Sequence, residues 1–410
     1  MKKFFAMLLA VVMLASCAGF AMADEPTTIT VWHRWSGSNE AFLNEVLDAF
    51  QAEHPEVKIE VSAKAGEYFE LLQSMNADAA AGNPLPDIFV GGYNLLNYIA
   101  TEMDPVPVKD LAPSEEAYNA VTGKFLDTTL ALGQWDGVQV GLPIACSTMV
   151  MYVNMDIFAE AGLTEADIPQ TWEQLEEVCK IIKEKTTHSG TGIQLPDNWG
   201  DQALIFSAGG ELLSTDKEHV DFTNEGIVKA ISMWQRLYNE GYIPLCTNNE
   251  LYSNFTAGDV AMYFTSVMSL ATLREYCAFN MDVCPVPAFE GHQKQLPVGG
   301  AAMISFSKDE AKKAAVWSFL DYFANEGVKT FVKTGYLNPT TTEVEVVDGQ
   351  EAAYAQMDSV RPWECWPGGS AGLEIDSMWI STRTDIIQNN MDVVEALSNL
   401  ADECNALLDF

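Results

Sequence analysis

Four of the ten tryptophans in this 410-residue chain, Trp35, Trp199, Trp363 and Trp366, follow predicted strands or glycines, where side chains tend to line clefts. Tyr93, Tyr263 and Tyr336 also follow strand ends or glycines. A flat ring stacks on the C–H surface of a polyol or sugar, while nearby hydroxyls and amides exchange hydrogen bonds with its O–H groups. Ser147 supplies a hydroxyl that either faces a cleft or caps a sheet. Gly299 and Gly300 are either a plain strand start or two backbone N–H groups open to a ligand oxygen, since no side chain blocks the approach. Trp172, Trp234 and Trp317 sit at helical spacing among apolar residues and read as core.

Catalytic chemistry finds little support. The five histidines (His33, His54, His188, His219, His292) are scattered, and no HExxH, GxSxG, GxGxxG or phosphate-binding loop occurs. With 58 carboxylates some pair always lies close, yet nothing singles one out as a glycosidase dyad. The cysteines Cys146, Cys179, Cys246, Cys277, Cys284, Cys365 and Cys404 form no CxxC and match no zinc or haem spacing. They read as buried small hydrophobes, with the pairing of Cys277 and Cys284 left open. No catalytic residue, metal ligand or cofactor is expected.

A chain this long divides into two or more domains. Its formal net charge of −36 repels nucleic acid and anionic lipid and disfavours highly anionic ligands, and otherwise serves solubility. Lys2 and Lys3 precede an apolar run from Phe4 to Leu14, an export signal too short to remain as a membrane span. Two cleavage sites compete. Leu14-Ala-Ser-Cys17 matches a lipobox, which would lipidate Cys17, and Ala21-Met-Ala23 matches an ordinary signal-peptidase site, which makes 1–23 the leader. Either way the expectation is an exported protein, periplasmic or lipid-anchored on the outer face of the cytoplasmic membrane.

The elements that position these residues alternate. Strands at Thr28–His33, Val57–Val61 and Leu85–Gly92, separated by amphipathic helices, predict a parallel sheet with crossovers. Ligands bind such sheets at the carboxyl ends of the strands, which places Trp35, Ser36 and Tyr93 at one edge of a cleft. Ser38 is expected to cap the first helix, Asp136-Gly137 to make a tight turn, and Cys146–Asn154 to form one long strand. Thr171 with Gln174 predicts a capping box. After the strand Val298–Ser305, Asp309–Ala324 predicts one helix and Asn325–Thr334 a second, closed by Gly335 as a left-handed cap.

The order of these motifs resembles the extracellular solute-binding proteins of ABC importers. It is carried by "ITVWHRWSG", "PLPDIFVGGYN", "GLPIACSTMVMYVN", "FTAGDVAMYF" and the glycine-led strand running through two helices into "TGYLNPT", together spanning nearly all of 27–408. The branch with glycerol-3-phosphate and glycoside binders is the most similar. The resemblance implies an α/β, type II periplasmic-binding fold: lobe 1 at 25–140 plus 299–340, lobe 2 at 141–298 plus 341–410, and a cleft and hinge between them. It also implies a monomer that closes on a small-molecule ligand and delivers it to membrane permease subunits, with no enzymatic activity and no membrane contact beyond a lipid anchor. In the glycerol-3-phosphate branch a basic residue near the final helices holds the phosphate. Here Glu374 occupies that place, so a neutral mono- or oligosaccharide is favoured over glycerol-3-phosphate or a glycerophosphodiester. An extracellular carbohydrate-active enzyme is the alternative from another class.

Overall fold

The structure is a computed structural model that describes residues 25–64, 66–195 and 198–409. The leader and Cys17 lie outside the described residues.

Strand β1 (Thr27–His33), helix α1 (Gly37–Glu53), β2 (Val57–Ala63), α2 (Tyr68–Ala80) and β3 (Ile88–Gly92) form the expected βαβαβ unit, with β1 parallel to both β2 and β3. A short helix α3 (Leu96–Glu102) follows. Ser36, not Ser38, stands at the N-cap of α1, and its side chain makes no capping bond. The hairpin Gln134–Gln139 turns at Asp136 and Gly137, both at positive φ (46° and 73°), as an Asp-Gly turn requires.

The apolar run expected as one strand is two. Gly141–Ser147 (β4) pairs with the first sheet, and Met149–Asn154 (β5) belongs to a second sheet. Every residue of the run is buried, so hydropathy gives no sign of the break. Helix α4 (Asn198–Ser207), β6 (Met262–Ser266) and β7 (Met281–Cys284) follow, and β6 and β7 flank β5 antiparallel. The chain then returns as β8 (Gly299–Ser305), which inserts between β3 and β4 to complete the order β2-β1-β3-β8-β4. Residues 141–147, expected with the second lobe, are thus hydrogen-bonded into the first sheet.

Helix α5 (Glu310–Tyr322) does not stop before a separate helix. It runs through a π turn, Phe323–Gly327, into Val328–Phe331 and a 3₁₀ turn ending at Thr334. Gly335, at φ 95°, is the left-handed cap. Helices α6 (Ser370–Gln388) and α7 (Val393–Leu408) close the chain.

Each lobe has its own core, and a third cluster, with Phe89, Tyr152 and Phe255 among its members, joins elements of both. Leu43, Val46, Leu47 and Phe50 of α1 and Val316, Phe319 and Leu320 of α5 cover one face of the five-stranded sheet. Trp172, Leu175, Phe206, Ile227, Trp234, Ile375, Trp379 and Leu397 fill the second lobe. Trp172, Trp234 and Trp317 are buried as expected, and Thr171 and Gln174 form the capping box. At the amino end of β3, away from the cleft, the buried Asp87 carboxylate accepts from Thr30 N (2.9 Å), Ser307 Oγ (2.7 Å) and Lys312 Nζ (2.9 Å), clamping four segments of lobe 1. The seven cysteines among the described residues are free, Cys277 and Cys284 included.

Candidate functional site

The carboxyl end of β1 delivers Arg34 and Trp35. Arg34 is engaged on three sides: Nη2 lies 2.5 Å from Glu67, Nε donates to Gly66 O at 3.0 Å, and its guanidinium sits 4.9 Å over the Tyr68 ring. Trp35 is buried and donates Nε1 to Tyr336 Oη at 3.1 Å. Gly335 turns the chain so that Tyr336 reaches back to this point, and its ring stacks on Phe331 at 5.9 Å. Packing therefore takes up most of both aromatic faces. Tyr68 sits beside Arg34 and Tyr336, and its buried hydroxyl reaches no hydrogen-bond partner of good geometry. Burial pushes the Tyr68 and Tyr336 hydroxyls above the ordinary tyrosine range.

At the centre of the crossing, Ser147 ends β4 and pairs in register with Gly299. A Cβ on Gly299 would meet Ser147 Oγ at 2.9 Å and the Trp199 ring at 3.0 Å, so this glycine makes room for the indole. Gly300 has a different cause: its φ is 124°, and a Cβ would meet Ala145 O at 1.9 Å, so close backbone approach demands glycine there. Trp199, half-buried on α4, donates Nε1 to Pro297 O at 2.9 Å and lies 6.1 Å from Trp363, also half-buried. These two indoles retain faces that packing has not consumed.

Other expected positions are occupied differently. Tyr93 is buried and its hydroxyl donates to Ala145 O at 2.9 Å. Tyr263 is buried on β6, 5.3 Å from Phe255, so it packs in a core between elements. Trp366, expected at the cleft, packs in the second core 5.7 Å from Phe222, donates Nε1 to Asp376 at 2.7 Å and also borders the small gap between the lobes. Ser36 is exposed beside Trp35, and Glu374 is exposed on α6. Two residues further along α6, Asp376 accepts from Asn198 Nδ2 as well as from Trp366, and burial raises its pKa above the carboxylate norm. Arg34, Tyr68, Asn94, Asn198 and Asp376 were not singled out from sequence. Only Arg34, between two tryptophans, carried a local signal.

The lobes touch at several points. Asn39 Nδ2 lies 2.8 Å from Met268 Sδ, Cys365 Sγ lies 3.1 Å from Tyr93 O, and Asn97 Nδ2 donates to Trp366 O. Asn97, Glu364 and Gly369 border two spaces between the lobes. One is a gap of about 40 Å³ lined by Phe69, Asn94, Asn198 and Asp376. The other is a chamber of about 750 Å³ lined by Tyr93, Trp135, Arg361 and Trp363. Trp363 and Tyr93 line the chamber while Asn198 and Asp376 line the gap, so we place the candidate site at the strand ends and across both spaces. Among the described residues no group of histidine, cysteine or carboxylate side chains could hold a metal, and no helix is long and apolar enough to cross a membrane.

Comparison with known proteins gives these lobes a family. A family model described as "Bacterial extracellular solute-binding protein" matches residues 45–357. The chain is 26% identical over 448 aligned positions to the sn-glycerol-3-phosphate-binding periplasmic protein UgpB of Pectobacterium atrosepticum, covering 96% of this chain and 95% of that protein. It is 27% identical to the protein of the same name from Escherichia coli K12, covering 88% and 90% of the two chains. Among solved structures, UgpB from Mycobacterium tuberculosis in complex with glycerophosphocholine superposes with a TM-score of 0.82 at 21% identity, covering 94% of this chain and 99% of that one. The cyclic alpha-maltosyl-1,6-maltose binding protein from Arthrobacter globiformis superposes with a TM-score of 0.79 at 22% identity, covering 93% and 99%. At such identities the superpositions establish the fold, two α/β lobes of the periplasmic-binding type, and the family match establishes the lineage: this chain belongs to the bacterial extracellular solute-binding proteins.

Proposed function

We propose that the protein captures a neutral carbohydrate between its lobes and hands it to the permease of an ABC importer, without chemical change to the cargo. The observation that carries the choice of ligand is the state of the cleft's charges. Arg34, the cation at the strand ends, is engaged by Glu67, Gly66 O and the Tyr68 ring, and Asp376 of α6 brings a carboxylate to the small gap between the lobes, while Glu374 lies on the side of α6 towards Cys404 of α7. A phosphate would need a free cation or a cluster of open N–H donors. Half-buried Trp199 and Trp363, with Ser147 between the lobes, suit stacking on a sugar and hydroxyl exchange. Trp35, Tyr336 and Gly299 support this arrangement from behind.

Glycerol-3-phosphate or a glycerophosphodiester is the second reading, favoured by the names of the curated relatives at 26 and 27% identity. On either reading the protein works outside the cytoplasmic membrane as a monomer, soluble or anchored through Cys17, with the lobes dividing near Ser147 and Gly299 and again after Thr340.

A thermal-shift screen of the mature protein against mono- and oligosaccharides, polyols and glycerol phosphoesters tests the proposal. Ligand at a hundred times its Kd stabilises by about 2.7 kcal/mol. A saccharide hit supports the carbohydrate reading, a hit confined to phosphoesters replaces it with the second, and product formed from an oligosaccharide would make the protein an enzyme.

A further inference from the structure

The chamber of about 750 Å³ takes its walls from both lobes. Lobe 1 supplies α3 and the 134–139 hairpin, and lobe 2 supplies the turn at 213–218 and the segment 361–369. Each side offers one half-buried indole, Trp135 on the hairpin and Trp363 on the segment opposite. The Trp135 side chain rests on the cluster that joins the lobes, and among the described residues its indole has no ring, cation or hydrogen-bond partner. A second space of about 310 Å³ shares Thr101, Trp135 and Asp136 with the chamber, so the same indole borders both. The cations on the chamber walls are committed: Arg361 lies 2.9 Å from Glu211 and 3.1 Å from Glu364, and Lys217 lies 3.7 Å from Glu364. Glu102, Asp136 and Glu218 leave carboxylates there to accept from hydroxyls.

Size decides between ligands. Sites of about 300–1,000 Å³ bury most of a drug-sized molecule, and the chamber lies within that range at about 750 Å³. One hexose, or glycerol-3-phosphate, would leave much of it to water. A short sugar chain would fill it. We propose that the cargo is an oligosaccharide lying in this chamber, and that Trp135 sets the preference for chain length. One sugar unit stacks on Trp363 and another on Trp135, from which a longer chain enters the second space. This rests on the carbohydrate reading and deepens it, because it names the size of the cargo and a residue that selects it.

The test is calorimetric titration of the mature wild type, Trp135→Ala and Trp135→Phe with glucan, xylan and galactan series from monosaccharide to tetrasaccharide, and with glycerol-3-phosphate. In the series that binds, wild-type affinity should rise about 10-fold or more from monosaccharide to trisaccharide. Removing one stacked ring forfeits both its buried area and its stacking, so Trp135→Ala should weaken the trisaccharide about 10- to 100-fold and flatten the dependence on length. Trp135→Phe should recover most of that affinity. A misfolded fraction would lower the binding-competent concentration for every length alike, so the ratio between lengths reports on Trp135 itself. A monosaccharide that binds the wild type within twofold of every longer chain would overturn the proposal and leave the carbohydrate reading standing. A length preference that survives unchanged in Trp135→Ala would do the same. If no saccharide binds, whether or not glycerol-3-phosphate does, both readings fall.

Discussion

Trp35 and Tyr336, 301 positions apart in the chain, meet side chain to side chain, with the indole Nε1 donating to the phenol oxygen at 3.1 Å. The contact joins the end of the first strand to the segment that follows the last long helix of the first lobe. Tyr336→Phe keeps the ring on Phe331 but leaves a buried indole N–H without an acceptor. That should cost about 1–3 kcal/mol, read as a lower midpoint in urea with an unchanged slope.

Gly300 crosses β4 so closely that no side chain fits. Gly300→Ala combines a φ of 124° with a contact of 1.9 Å to Ala145 O. The strained conformation alone costs about 1–3 kcal/mol and the clash adds to it, so the variant should unfold many degrees earlier in a thermal melt. Gly137→Ala is the control, since its φ is 73° but a Cβ there meets nothing within 4 Å, and it should suffer the conformational cost alone.

Arg383 and Asp201 are an ion pair in the second core, 2.7 Å apart and only 3% and 2% exposed. The same carboxylate accepts Trp379 Nε1 at 3.0 Å, and Arg383 also donates to Gln194 O at 2.8 Å. Arg383→Met strands a buried carboxylate and should cost about 3–5 kcal/mol. The double variant with Asp201→Asn should recover a good part of that loss in the same denaturation experiment.

His33 is fully buried against Trp35, and burial holds its pKa below the ordinary histidine value, with Glu40 offsetting part of the effect. The native chain therefore resists a proton that the unfolded chain accepts. Stability is unaffected by His33 well above pH of about 6.5, falls as the pH drops through that unfolded-state value, and levels off below the native pKa. Comparing His33→Gln with wild type in denaturant melts between about pH 7.5 and 5 checks the sign, since the variant should lose this part of the slope.

Much of the first lobe was legible in the chain because local periodicity and turn chemistry agree with the fold there. The strands around Thr28, Val57 and Ile88, the helices between them, the Asp136-Gly137 turn and the Gly335 cap all follow from nearest-neighbour physics, as does the Thr171 capping box in the second lobe. The order of motifs was enough to indicate the family. What only the tertiary structure decided is which residues face the gap. Cys146–Asn154 reads as one strand because burial on both sides removes any alternation, and only sheet pairing shows that the break at Thr148 divides β4 from β5 and that the two serve different lobes. Trp366 and Trp363 have the same aromatic chemistry, and packing alone buries the first beside the small gap and leaves the second half-buried at the chamber. Asp376 was invisible among 58 acidic residues, because its hydrogen-bond partners Trp366 and Asn198 arrive from other segments of the chain. Local sequence encodes propensity and periodicity. The partners of a buried polar group are set by long-range contacts that no window of the chain contains.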